Sequence, residues 1–167
     1  ARDAARGLLA ALGALDGEGG LSAVGREMLR LPLHPRASRV LIEARRAGME
    51  RDGCLLAGLL GEREVRQGRR GLELRPAETE GDSDLLDALD RLRDLPGRVT
   101  DPELRRRDLE PAAARNVLRV ARQLARIVGK TTGGSPMDAD AALRLAVLSG
   151  YPDRVARRRR AGEASVV

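Results

Sequence analysis

Aromatic side chains are almost missing from this chain of 167 residues: they make up 1% of it, with one tyrosine and no phenylalanine or tryptophan. A core without large rings has to be filled by Leu, Val, Ile and Ala, which suits helices packed on helices better than a sandwich or barrel. Cysteine is equally scarce. Cys54 stands alone, which excludes an internal disulfide framework. One cysteine and one histidine, His34, also cannot make a zinc site. No apolar run reaches membrane-spanning length and the first residues do not read as a signal peptide, so a cytoplasmic protein without membrane contact is expected. Lysine is nearly absent too: apart from Lys130, the net charge of +6 rests on arginine. A GC-rich coding sequence produces the same arginine bias. The excess of positive charge is therefore the better pointer to a polyanionic partner.

The length suits one domain, or one domain with scraps of its neighbours. The chain opens at Ala1 inside a helical pattern and closes at Val166-Val167 just after an arginine cluster. Both ends read as cuts, and a piece of a longer protein is expected.

The chain turns on the stretch Leu31-Pro32-Leu33-His34-Pro35-Arg36. Two prolines fix φ and push their preceding residues toward extended geometry, so this is an elbow, extended from Leu31 to His34. Pro35 then suits the first turn of a helix, where its missing N–H costs nothing. Apolar positions 37, 40, 41 and 44 share one face of that helix, which should stop near Gly48. Ahead of the elbow, residues 2–15 read as a helix carrying Leu8, Leu9, Leu12 and Leu15. A turn-rich tip follows at 16–20, and then a short segment in which Ser22 caps a helix reaching about Arg30. Beyond the elbow, Cys54 to Leu60 is apolar on every side and predicts the buried central helix, ending in Gly61-Glu62-Arg63-Glu64. Residues 65–82 read as an exposed loop and Asp82-Ser83-Asp84 as the next helix start, with Leu85, Leu86, Leu89, Leu92 and Leu95 on its apolar side and Pro96-Gly97 as its stop. Residues 98–108 are polar and give no assignment. Pro111 opens the longest periodic helix, to about Val128, closed by Gly129. Thr131 to Met137 reads as a loop. Asp138 caps a last helix bearing Ala142, Leu145, Ala146 and Leu148, which Tyr151-Pro152 terminates.

Arg115, Arg119, Arg122 and Arg126 fall within about 60° of one another on the 111–128 helix, opposite apolar positions 117, 120, 121, 124, 127 and 128. Such a line of guanidinium groups either contacts successive phosphates of a single strand or forms the solvated face of an amphipathic helix. Arg154, Arg157, Arg158, Arg159 and Arg160 form a dense basic run that either holds phosphates or serves as a linker. Gly129-Lys130-Thr131-Thr132 is not a phosphate loop: the pattern needs a glycine five positions earlier, where Leu124 stands. His34, between prolines, reads as a packing or capping residue. Cys54, in the most apolar segment, reads as a small core residue. No acid–base pair stands out, so no catalytic residue, metal site or cofactor site is expected in this chain.

Leu12-Gly13-Ala14-Leu15-Asp16, Gly20-Leu21-Ser22, Gly25-Arg26 and the elbow together resemble the region behind the motor of DEAH-box helicases, where a winged-helix domain passes into the helicase-associated, or ratchet, domain. With His34 in the elbow and Tyr151-Pro152-Asp153-Arg154-Val155-Ala156 near the end, the chain is similar to the bacterial HrpB type. That type tends to have Ser-Glu-Arg-Asp at 61–64. Arg63 fits this pattern, while Gly61 and Glu64 depart from it. The resemblance implies a mainly α fold: the C-terminal part of a winged helix over 1–30, a helical ratchet bundle of about five to seven helices over 31–149, and a truncated linker into a missing oligonucleotide-binding barrel over 150–167. It implies an accessory region of an ATP-dependent RNA or DNA helicase that walls the single-strand channel. ATP and magnesium then belong to a motor outside this chain, and this chain alone has no ATPase activity. The expected partners are single-stranded RNA or DNA and the motor of the same polypeptide, and the expected state is a monomer. Arg36 and Arg63 either brace the bundle, face the channel or form structural ion pairs. Two other readings stay open. One is a docking module for the motor or a protein partner that never touches nucleic acid. The other is a winged-helix regulator with a helical dimerisation domain, against which the missing first helices of the winged fold argue.

Overall fold

The computed structural model describes residues 2–65, 84–95, 99–129 and 138–155, with the backbone alone at 63–65 and 84. In chain order the helices are α1 (Arg2–Ala11), α2 (Ala23–Met28), α3 (Pro35–Arg46), α4 (Glu50–Val65), α5 (Asp84–Arg93), α6 (Asp101–Arg106), α7 (Pro111–Val128) and α8 (Ala139–Gly150), followed by one 3₁₀ turn at Pro152–Arg154. The architecture is mainly helical, and no strand occurs among the described residues.

The arrangement grows from α4. Every residue from Gly53 to Leu60 is buried. A helix that is apolar on all sides gains nothing from facing water and has to be surrounded. Its main neighbours are α3, α5 and α7, while α8 packs on α3. Small residues make the approach close in place of the missing aromatics. A Cβ added at Gly53 would lie 2.7 Å from Ala44 Cβ on α3, and one added at Gly58 would lie 3.1 Å from the Val117 carbonyl oxygen on α7. The core these crossings enclose is built from Leu12, Val40, Leu41, Leu56, Leu89, Leu92, Leu104, Val117, Leu124 and Leu143.

Helix ends follow local chemistry. The Ser22 hydroxyl accepts from Gly25 N–H at 2.9 Å, and Asp138 accepts from Ala141 N–H at 2.8 Å. His34, with extended backbone at φ −58°, ψ 142°, caps α3, its Nδ1 accepting from Arg36 N–H at 3.3 Å. Gly48 follows α3 at φ +74°, as the glycine stop requires. The Glu110 carboxylate accepts from Ala112 and Ala113 N–H at the start of α7.

Four expectations change. The first helix ends at Ala11, not 15: Gly13, at φ +69°, turns the chain, and Leu12 and Ala14 on either side of it enter the core. Where a residual wing is expected, the described residues hold no strand, only one isolated antiparallel bridge between Leu15 and Leu21. α4 continues through Gly61 to Val65 instead of ending at 61–64. The unassigned 98–108 stretch contains α6, started by Thr100, whose N–H and hydroxyl both donate to the Glu103 carboxylate at 2.8 Å. The loops expected at 66–82 and at 131–137, the Asp82-Ser83 helix start and the Pro96-Gly97 stop lie outside the described residues.

Candidate nucleic-acid interface

α7 keeps Ala113, Ala114, Val117, Ala121 and Leu124 buried, and this holds the opposite side outward. Arg115, Arg119, Arg122 and Arg126 are all exposed, so the line expected from the spacing is a surface feature. At 1.5 Å rise per residue, the line from Arg115 to Arg126 extends about 16 Å.

The four are not equivalent. Arg115 forms an ion pair with Asp101 at the start of α6, which cancels much of its charge toward an outside anion. Among the described residues, no carboxylate pairs with Arg119, Arg122 or Arg126. Arg119 Nη2 donates to Asn116 Oδ1 at 2.5 Å. Asn116 Nδ2 in turn donates to Glu62 Oε2 on α4 at 2.6 Å. Arg122 Nε donates to the Leu118 carbonyl of its own helix at 3.1 Å. Each guanidinium is thus held through one nitrogen, a terminal Nη2 in Arg119 and the inner Nε in Arg122, with other N–H groups to spare.

Other arginines serve the fold. Arg36 is buried and grips Asp153, with Nη1–Oδ1 at 2.6 Å and Nη2–Oδ2 at 2.7 Å. It also donates to the Gly150 carbonyl at 3.0 Å and lies 5.1 Å from the centre of the Tyr151 ring. Of the three roles open for Arg36, the structural ion pair is the one the geometry realises. In the rest of the elbow, Leu31 is buried, Leu33 and Pro35 are half-buried, and Pro32 and His34 are exposed. Arg154 is exposed, with Nε 3.8 Å from Asp153. Arg157 and Arg158 lie outside the described residues, and at Arg63 the backbone alone is described, in the last turn of α4.

Two features are not evident from the spacing of the arginines. Arg105 and Arg106 are exposed on α6, which packs against α7. The signal was available in Thr100-Asp101-Pro102-Glu103, a helix-start pattern ahead of buried Leu104. The pairing of Glu62 with Asn116, 54 residues apart, left no local signal. An apolar cleft of about 460 Å³ between α4, α5 and α7 is lined by Leu55, Leu92, Leu95, Leu118, Ala121 and Ala125, with Cys54, Glu50, Arg51 and Arg122 also in its wall. Burial, reinforced by nearby Glu50, pushes the Cys54 thiol up to about 11, which removes it as a nucleophile.

No group of metal-ligating side chains gathers among the described residues, and none of their helices is long and apolar enough to cross a membrane. Comparison of the chain with protein-family models and with curated proteins returns no match.

Proposed function

We propose that this chain is the accessory C-terminal region of a DEAH-box helicase of the HrpB type, comprising the end of a winged helix and a ratchet bundle that walls a single-strand channel. In this reading the motor, with its ATP and magnesium, is elsewhere in the polypeptide. The bundle supplies rigidity, and α7 holds phosphates while the motor cycles. The observation that supports the reading most is the exposed line Arg119, Arg122 and Arg126, free of acidic partners among the described residues, on a helix braced against the buried α4. Arginine forks suit phosphate oxygens, and a strand threading past a rigid helix meets them in turn. With one tyrosine in the chain, the contact is with the backbone of the strand and not with stacked bases.

The test is fluorescence anisotropy of labelled single-stranded RNA and DNA titrated with this chain at low and moderate salt. Salt-sensitive binding that Arg119→Glu/Arg122→Glu abolishes, in a variant with unchanged circular dichroism, supports the channel role. Unchanged binding in the folded variant refutes it.

The leucine-lined cleft beside Arg122 favours a second reading, a docking module for an apolar side chain of the motor or of a protein partner. Partner binding that persists at high salt would select it, because phosphate contacts fade steeply with salt.

A further inference from the structure

We propose that Glu62, acting through Asn116, is a positioning residue that pre-sets the Arg119 guanidinium for a phosphate of a single strand, and that Arg115 takes no part in the contact. The inference rests on the nucleic-acid reading of α7.

The path is short and polar. Glu62 Oε2 accepts from Asn116 Nδ2 at 2.6 Å. Asn116 Oδ1 accepts from Arg119 Nη2 at 2.5 Å. Asn116 is half-buried at the α4–α7 seam, so its amide has few orientations open to it. A carboxylate on the amide nitrogen fixes which end of the amide faces Arg119 and polarises its oxygen as an acceptor. One guanidinium N–H is used, and four remain for an incoming anion. An exposed arginine normally gives up rotamer freedom when it binds. Holding it in place beforehand removes part of that cost. The same path explains why a carboxylate next to the row does not cancel it: Glu62 is engaged by the amide and does not pair directly with Arg119. Asp101 does the opposite at Arg115, which it engages directly.

The experiment is a double-mutant cycle on the whole chain, read as affinity for a labelled single-stranded oligonucleotide at fixed low salt, with circular dichroism as the folding control. Asn116→Ala is expected to weaken binding by about threefold to tenfold, the worth of one pre-ordered long side chain. In an Arg119→Ala background the same change should cost nothing further, because the group it positions is gone. Glu62→Ala should behave like Asn116→Ala, whereas Glu62→Gln, which keeps an acceptor for the amide, should retain affinity. Arg115→Ala should leave affinity unchanged. An Asn116→Ala loss of equal size in both backgrounds, or no loss at all, overturns the positioning role while leaving the Arg119 contact intact. A silent Arg119→Ala, or no binding by the unaltered chain, overturns the contact itself and the positioning role with it.

Discussion

Arg36 and Asp153 meet fork to fork across 117 residues of sequence, with both guanidinium amino groups on the two carboxylate oxygens at 2.6 and 2.7 Å. The pair fastens the residues after α8 to the N-terminal turn of α3. The Arg36 side chain is 11% exposed, whereas the Asp153 side chain is 47% exposed. Asp153 alone can return to water when the pair is broken.

That asymmetry sets the first prediction. Asp153→Ala takes both carboxylate bonds from a buried guanidinium that keeps the Gly150 carbonyl and the Tyr151 ring among its neighbours, and losing the acidic partner of a buried charge is costly. Arg36→Met removes the charge and keeps most of the apolar stem. Thermal melts should show a larger loss for Asp153→Ala than for Arg36→Met. The reverse order would mean that the guanidinium is well solvated.

The same pair predicts an acid response. The Arg36 hydrogen bonds hold the Asp153 carboxyl down at about 2, from an ordinary value of 3.8. Between these values the unfolded chain takes up a proton that the folded chain refuses, so acidification favours unfolding. The contribution is complete above about pH 4 and fades as pH falls toward 2. Glu103, held low by the Thr100 N–H, adds a drop of the same sign. Urea midpoints from pH 6 to pH 2.5 should therefore fall less steeply for Asp153→Asn than for the unaltered chain. Parallel curves would count against the linkage.

Helix crossings make opposite predictions for two glycines. A Cβ at Gly150 would sit 2.5 Å from Val40 Cγ2 and 2.7 Å from the Arg36 carbonyl oxygen, so α8 would have to back away from α3. Gly150→Ala should cost about 1–3 kcal/mol by overpacking. A Cβ at Gly61 meets nothing within 4 Å, inside α4. Gly61→Ala should add about 0.5–1 kcal/mol through reduced chain entropy. Chemical denaturation of the two variants checks both signs.

Salt dependence counts the contacts. If Arg119, Arg122 and Arg126 each hold one phosphate, the logarithm of affinity should fall with the logarithm of salt at a slope of about −2, at about 0.7 per contact for single strands. Arg122→Ala should reduce the magnitude of the slope by one contact, and Arg115→Ala should leave it alone. A slope near zero would move the binding, if any, to apolar surface.

Cys54 supplies an independent check on the core. With burial pushing its thiol up to about 11, it should resist thiol reagents at pH 8 in the folded chain and react at once in denaturant. Rapid labelling of the native protein would contradict the packing of α4.

The long helices were legible because their signals are local. Pro111 and Gly129 bracket α7, and four arginines against a small apolar stripe set which side faces out. Asp138, Ser22 and His34 cap as their positions suggested. α8 was legible in extent but not in facing. Leu145 and Leu148, read as part of this helix with no side given to them, are 50% and 44% exposed, and Ile127 on α7, read as apolar-side, is 45% exposed. α8 approaches α3 through Ala142, Ala146 and Gly150 beside Leu143, and close backbone approach uses the small residues and leaves the larger ones outside.

By itself, then, the sequence determined where α3, α7 and α8 start and stop and which side of α3 turns inward, since periodicity and capping act over three or four residues. It also determined that the surface is basic and the core free of large rings. Tertiary structure alone decided which polar side chains find each other: Arg36 with Asp153, Arg115 with Asp101, and Glu62 with Asn116. Those choices depend on how helices cross. The crossings are set by the fit of small residues around α4 and α3, and neighbours in the sequence do not carry that information.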